Sequence, residues 1–164
     1  MTKEIYEQIT APLRKYPHVV AGMIGINKAL SGLCYVMYPL LVGYLYLMKD
    51  ERLLRCILVP AISFAAVSVF RKIYNAPRPY EKGFDTLMKK HRKGQSFPSR
   101  HVFSAFMIAM TYAYILPNAA PALFFVGVLL AVIRVLGGVH FPKDVLVGAI
   151  CAIAAGILGF WVIP

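Results

Sequence analysis

The stretch FFVGVLLAVIRVLGGVHFPKD (residues 124–144) places one arginine in an unbroken apolar run, then adds a glycine pair, a histidine and an aspartate. An uncharged run of this kind reads as part of a membrane-crossing helix. An arginine inside such a helix is costly, and intramembrane arginines usually serve function, so Arg134 is the first candidate site residue. Gly137-Gly138 marks either a helix stop or a place where backbone comes close to a ligand. Taken alone, His140 fits a satisfied polar residue at a helix end, and Asp144 fits an N-cap of the next helix.

The rest of the chain agrees with a membrane setting. Of its 164 residues, 59% are hydrophobic and only 15% are charged, where a soluble domain carries about a quarter charged. The apolar residues fall in long runs, which predicts a single-domain, all-α, polytopic membrane protein over residues 1–164. The net charge of +11 is placed in clusters beside apolar spans, a pattern that serves lipid headgroups or anionic substrates; no nucleic-acid partner is expected. Cys34, Cys56 and Cys151 lie inside apolar runs without metal or disulfide spacing and read as small buried hydrophobes. The N-terminal residues carry early charges and no signal-peptide pattern.

Five spans are expected, near 27–48, 53–71, 101–116, 119–138 and 144–163. A sixth assembled from 18–33 competes with the first. Trp161 reads as an interface anchor. In residues 1–24, Ile5, Ile9 and Leu13 recur at helical spacing between charged residues, which predicts an amphipathic interfacial helix ending near Pro12 or Pro17. Residues 72–100 form a polar insert containing KKHRK (89–93), either a solvated loop or a basic rim that concentrates anionic lipid.

Successive spans alternate sides, so the end of span two, the start of three, the end of four and the start of five share one face. Arg71, Arg78, Ser99, Arg100, His101, Arg134, His140 and Asp144 all map to that face. Arginines, a serine and the open N–H groups of a helix start suit a tetrahedral anion. Two histidines beside it allow one to attack phosphorus and the other to protonate the departing oxygen. An aspartate four residues after a histidine can hold the ring's other N–H. Glu81 and Asp85 lie in the loop without evident partners, so no carboxylate pair for Mg²⁺ is expected on this face.

These residues resemble the membrane-embedded type-2 phosphatidic acid phosphatases, a family related to vanadium haloperoxidases. That family carries KxxxxxxRP, PSGH and SRxxxxxHxxxD in order. This chain reads RKIYNAPRP (71–79), PSRH (98–101) and IRVLGGVHFPKD (133–144). Three departures stand out: Arg71 for lysine, Arg100 for glycine and Ile133 for serine. The resemblance implies His140 as the nucleophile forming a phosphohistidine, Asp144 as its orienting carboxylate and His101 as general acid. It implies Arg71, Arg78, Ser99 and Arg134 as phosphate ligands, with no metal or other cofactor. Arg100 adds a cation that either grips a second phosphate or points to headgroups.

The expected activity is hydrolysis of a lipid phosphate or pyrophosphate, with undecaprenyl pyrophosphate first, and phosphatidylglycerol phosphate or phosphatidic acid as other candidates. A phosphotransferase using the same intermediate and a non-catalytic anionic-lipid binder or transporter are the rival readings. The count of basic residues favours a cytoplasmic site. The resemblance implies the outer face of a bacterial cytoplasmic membrane, and the expectation follows it. Nothing in the sequence speaks to oligomeric state.

Overall fold

The computed structural model describes residues 1–88 and 93–163, and every regular element among them is helical. The elements are α1 (Lys3–Arg14), α2 (Pro17–Leu47), α3 (Leu53–Tyr74), α4 (Arg100–Ile115), α5 (Ala120–Leu136) and α6 (Pro142–Ile157). Short 3₁₀ turns cover Pro79–Lys82 and Pro117–Ala119, and α6 runs into a π-helical turn at Leu158–Val162. The cluster at 89–93 lies outside the described residues except for Lys93.

Two N-terminal expectations change. The amphipathic helix expected over residues 1–24 is α1 alone and stops at Arg14, with Pro12 accommodated inside it. Pro17 does not end a helix but opens one: it occupies the first turn of α2, where its missing N–H costs nothing. Residues 17–24 therefore belong to the first span, which starts ten residues earlier than its hydropathy suggests. One uninterrupted helix of 31 residues also leaves no room for a separate span over 18–33.

Among the described residues, four segments are long and apolar enough to cross a membrane: Pro17–Leu47, Leu53–Lys82, Pro117–Leu136 and Pro142–Val162. The fifth expected span, α4, has 16 residues and is about 24 Å long at 1.5 Å per residue. It can be short because it sits inside the protein. Val102, Phe103, Ala105, Met107, Ala109 and Thr111 are buried on every side of it, and it touches α2, α3, α5 and α6. A helix that is apolar all round belongs in a core. The outer helices instead expose residues such as Ile62, Ile73, Phe125 and Leu146, the faces a bilayer covers. α4 and α6 meet closely where a Cβ at Gly148 would lie 2.7 Å from the Ser99 carbonyl oxygen. This approach brings the first turns of the two helices together.

Candidate active site

The turn between α5 and α6 shapes the centre. Gly137 N–H donates to Ile133 O at 2.8 Å, and Gly138 N–H donates to Val135 O at 3.0 Å. Arg134 O accepts from Val139 N–H at 3.1 Å and from His140 N–H at 3.3 Å. Gly138 has φ +70°, and a Cβ there would meet Thr86 Cγ2 at 2.4 Å. The glycine pair thus both stops the helix and admits a close neighbour. Phe141, not Asp144, is the N-cap of α6. Asp144 lies three residues in, where its Oδ2 accepts the Phe141 N–H at 3.0 Å. Its side chain still closes the helix start, from inside the first turn.

His140 and Asp144 are each 1% exposed. Nδ1 of His140 lies 3.6 Å from Asp144 Oδ2 and 3.4 Å from Ser96 Oγ, and that hydroxyl donates to Asp144 Oδ2 at 2.5 Å. Ser96 is a residue that the sequence reading missed. Burial pushes the His140 imidazole down to about 4, the Asp144 carboxylate opposes this, and the charges on Arg78 and Arg134 add to it. The ring is therefore neutral near pH 7, as a nucleophile must be.

The arginines divide into two groups. Arg71 ends α3 and donates to the backbone carbonyls of Gln95, Ser96 and Pro98, so it shapes the loop that carries Ser96. Arg78 Nε donates to Gly94 O at 2.9 Å, and its Nη1 reaches Val139 O at 3.5 Å, beside His140. Glu81 is not partnerless as its sequence position suggests: its Oε2 accepts the N–H groups of Arg78 and Gly94, both at 2.8 Å. Asp85 also has a partner, Arg14 Nη1 at 2.6 Å. Arg134 is 3% exposed with Nε unpaired. Ser99 caps α4, sends its N–H to Asp144 O at 2.7 Å, and keeps a buried, unpaired Oγ. Asp144 Oδ1 is unpaired as well. Buried polar atoms normally have partners, and among the described residues these three have none, which marks a centre built for something polar.

Arg100 and His101, on the first turn of α4, line a cavity of about 110 Å³ with Ser31, Tyr35 and Ser104. The Arg100 guanidinium lies over the Phe64 ring, 5.4 Å from its centroid. Leu130 is in the same wall, one helical turn before Arg134 on the same face of α5. A larger apolar groove of about 460 Å³ adjoins it between α2, α3 and α4 and shares Cys34, Tyr35 and Phe64 with it. Among the described residues no three His, Cys, Asp or Glu side chains gather as metal ligands.

Residues 52–164 match the PAP2 superfamily. The chain belongs to that superfamily. It is an integral membrane protein of the PAP2 lipid phosphatase family, and all three motifs fall inside the matched region. Over 137 residues it is 24% identical to the bacitracin transport permease protein BcrC of Bacillus licheniformis, covering 79% of this chain and 68% of that one. Aquifex aeolicus LpxE superposes with a TM-score of 0.73 at 28% identity, covering 95% of this chain and 92% of LpxE. The first transmembrane PAP2-type phosphatidylglycerolphosphate phosphatase from Bacillus subtilis shares the fold, with a TM-score of 0.65 at 24% identity, covering 96% and 82%. α1 and α2 precede the PAP2 match, although Tyr35 on α2 lines the cavity beside Arg100 and His101.

Proposed function

We propose that this PAP2 protein hydrolyses a lipid phosphate or pyrophosphate through a phosphohistidine on His140, with undecaprenyl pyrophosphate the first candidate substrate. The observation that carries this reading is a buried neutral imidazole, backed by Asp144 and Ser96, beside the orphaned Arg134 Nε and Ser99 Oγ. Arg78, Arg134, Ser99 and the open N–H groups of α4 hold the phosphoryl oxygens, with Arg71 supporting them through the 95–98 backbone. With Nδ1–H directed to Asp144, Nε2 of His140 attacks phosphorus. The bond from that phosphorus to the leaving oxygen breaks, the ester oxygen of a lipid monophosphate or the bridging oxygen of a pyrophosphate, and His101 gives that oxygen a proton. Water then attacks the phosphohistidine, returns a proton to His101 and releases phosphate. The arginines stabilise the equatorial oxygens throughout, so the reaction needs no resident metal.

The apolar groove beside Arg100 and His101 gives a lipid chain a place next to the leaving-group acid. We assign the site to the outer face of a bacterial cytoplasmic membrane, in line with the family resemblance. Cysteines placed in the 83–88 segment should react with impermeant reagents in intact cells; protection until lysis reverses the orientation. The central test is phosphate release by purified protein from undecaprenyl pyrophosphate, phosphatidylglycerol phosphate and phosphatidic acid. His140→Ala should abolish it, and wild-type-like turnover in that variant sinks the mechanism.

A transport or binding role has one point in its favour, the permease in the name of the Bacillus licheniformis relative. It leaves the Ser96–Asp144–His140 chain without a task. Retained lipid affinity with no phosphate release would favour it.

A further inference from the structure

Helix α1 reaches the turn that carries His140 through the side chain of Tyr6. Tyr6 is 1% exposed, and its hydroxyl donates to Leu136 O at 2.9 Å and accepts from Leu87 N–H at 3.3 Å. Leu136 closes α5, and carbonyls at a helix end need partners from outside the helix. Its neighbours are served by the chain itself: Ile133 O, Arg134 O and Val135 O by the turn, and Gly137 O by Met88 N–H at 3.0 Å. Tyr6 supplies the remaining partner and ties the 84–88 segment to the turn. The Tyr6 ring also meets Phe84 edge-on at 5.7 Å, and Phe84 meets Phe141 at 5.6 Å. Arg14 fixes the other end of α1 to Asp85. His140 thus stands on a turn braced from the N-terminal helix.

The flank of α1 next to the Tyr6 face is apolar and open. Ile5 and Ile9 are 46% and 50% exposed and one turn apart, and the exposed Lys15 follows the helix. α2 begins two residues after α1 ends and carries exposed Val19 and Ile26 into its span. The exposed flank of α1 therefore continues the lipid-facing surface, with Lys15 at its end available to anionic headgroups. One flank of the helix is made for the bilayer and the neighbouring one holds the His140 turn.

We infer that α1 is a membrane-docked brace and that Tyr6 is a positioning residue, which sets His140 for attack only while α1 lies on an anionic lipid surface. The turnover part of this inference rests on the hydrolase reading; the structural part does not. Misplacing a reacting group by about 1 Å can cost about 100-fold in rate. The loss should fall on kcat, because Tyr6 holds the turn that carries His140.

The test uses the full chain reconstituted in vesicles containing an anionic phospholipid, with undecaprenyl pyrophosphate as substrate. Tyr6→Phe should lower kcat about tenfold or more while KM stays within about twofold. Its Leu87 amide, deprived of the hydroxyl, should exchange with deuterium about tenfold faster or more. An Ile5→Asp/Ile9→Asp double variant, which leaves Tyr6 in place, should reproduce both changes in vesicles. Unchanged kcat in Tyr6→Phe, a loss confined to KM, or a wild-type-like double variant overturns the inference. If the wild type releases no phosphate from any lipid phosphate, the hydrolase reading fails instead. Amide exchange then decides the brace, since it needs no turnover.

Discussion

Ser96 Oγ donates to Asp144 Oδ2 at 2.5 Å across 48 positions of sequence, and so joins the loop before α4 to the first turn of α6. The same oxygen lies 3.4 Å from His140 Nδ1, slightly closer than the carboxylate at 3.6 Å. The serine hydroxyl thus bridges the carboxylate and the imidazole. Ser96→Ala should lower kcat for phosphate release about tenfold and leave the chain folded, since one hydrogen bond to a charged group is worth about 1.5–3 kcal/mol. Asp144→Asn should cost more, toward the roughly 10⁴-fold loss seen when a hydrolase triad loses its carboxylate. Equal losses in the two variants would show that the serine, not the carboxylate, sets the ring.

The pH dependence follows from His140. Its ordinary value is 6.5 and its value in the fold is pushed down to about 4. The lowered value favours the neutral ring in the folded state, so the contribution to stability is fully present above 6.5. It is lost as pH falls through the window from 6.5 to 4. The acid limb of the kcat/KM profile should accordingly lie near 4. A limb at 6.5 would mean that the ring titrates as if solvated, against the burial described above.

Gly138→Ala tests the turn itself. The residue has φ +70°, and its added Cβ would lie 2.4 Å from Thr86 Cγ2 and 2.7 Å from Tyr6 Oη. Strain of this kind costs of order 1–3 kcal/mol before any clash is counted. Thermal stability in detergent should fall, and phosphate release should drop further than the folded fraction does. Wild-type turnover would show that the turn tolerates displacement.

Arg100→Gly restores the residue found in the related motif. If Arg100 grips the second phosphate of a diphosphate, KM for undecaprenyl pyrophosphate should rise about tenfold, equivalent to about 1.4 kcal/mol. Turnover of phosphatidic acid should stay unchanged. Equal effects on the two substrates, or none on either, would leave Arg100 on Phe64 as a headgroup contact only.

Hydropathy located the outer helices well because their lipid-facing residues are what the scale measures. It did less well at 17–26, where Pro17, His18 and Lys28 interrupt the apolar signal without interrupting the helix. Alternation of spans was enough to bring Arg71, Arg78, Ser99, Arg134, His140 and Asp144 to one end, because topology needs only the order of the spans. It could not separate the task of Arg71, held by loop carbonyls, from that of Arg134, whose Nε is unpaired. Ser96 and Tyr6 were not singled out by the sequence pattern. Their partners lie 48 and 130 positions away, and neither periodicity nor local chemistry encodes such distances. The pairing of Ser96 with Ser99 in GQSFPSRH was the nearest signal available.

The groove that adjoins Arg100 and His101 draws its walls from α2, α3 and α4, whereas His140, Asp144 and Arg134 come from α5, α6 and the turn between them. On the hydrolase reading the nucleophile and the lipid groove come from different stretches of chain, with α4 shared through Ser99 and His101, which makes the protein a natural candidate for chimeras. Replacing the groove-facing residues of α2 and α3 alone should retune which hydrocarbon is accepted, while the phosphorus chemistry passes intact from one chimera to the next.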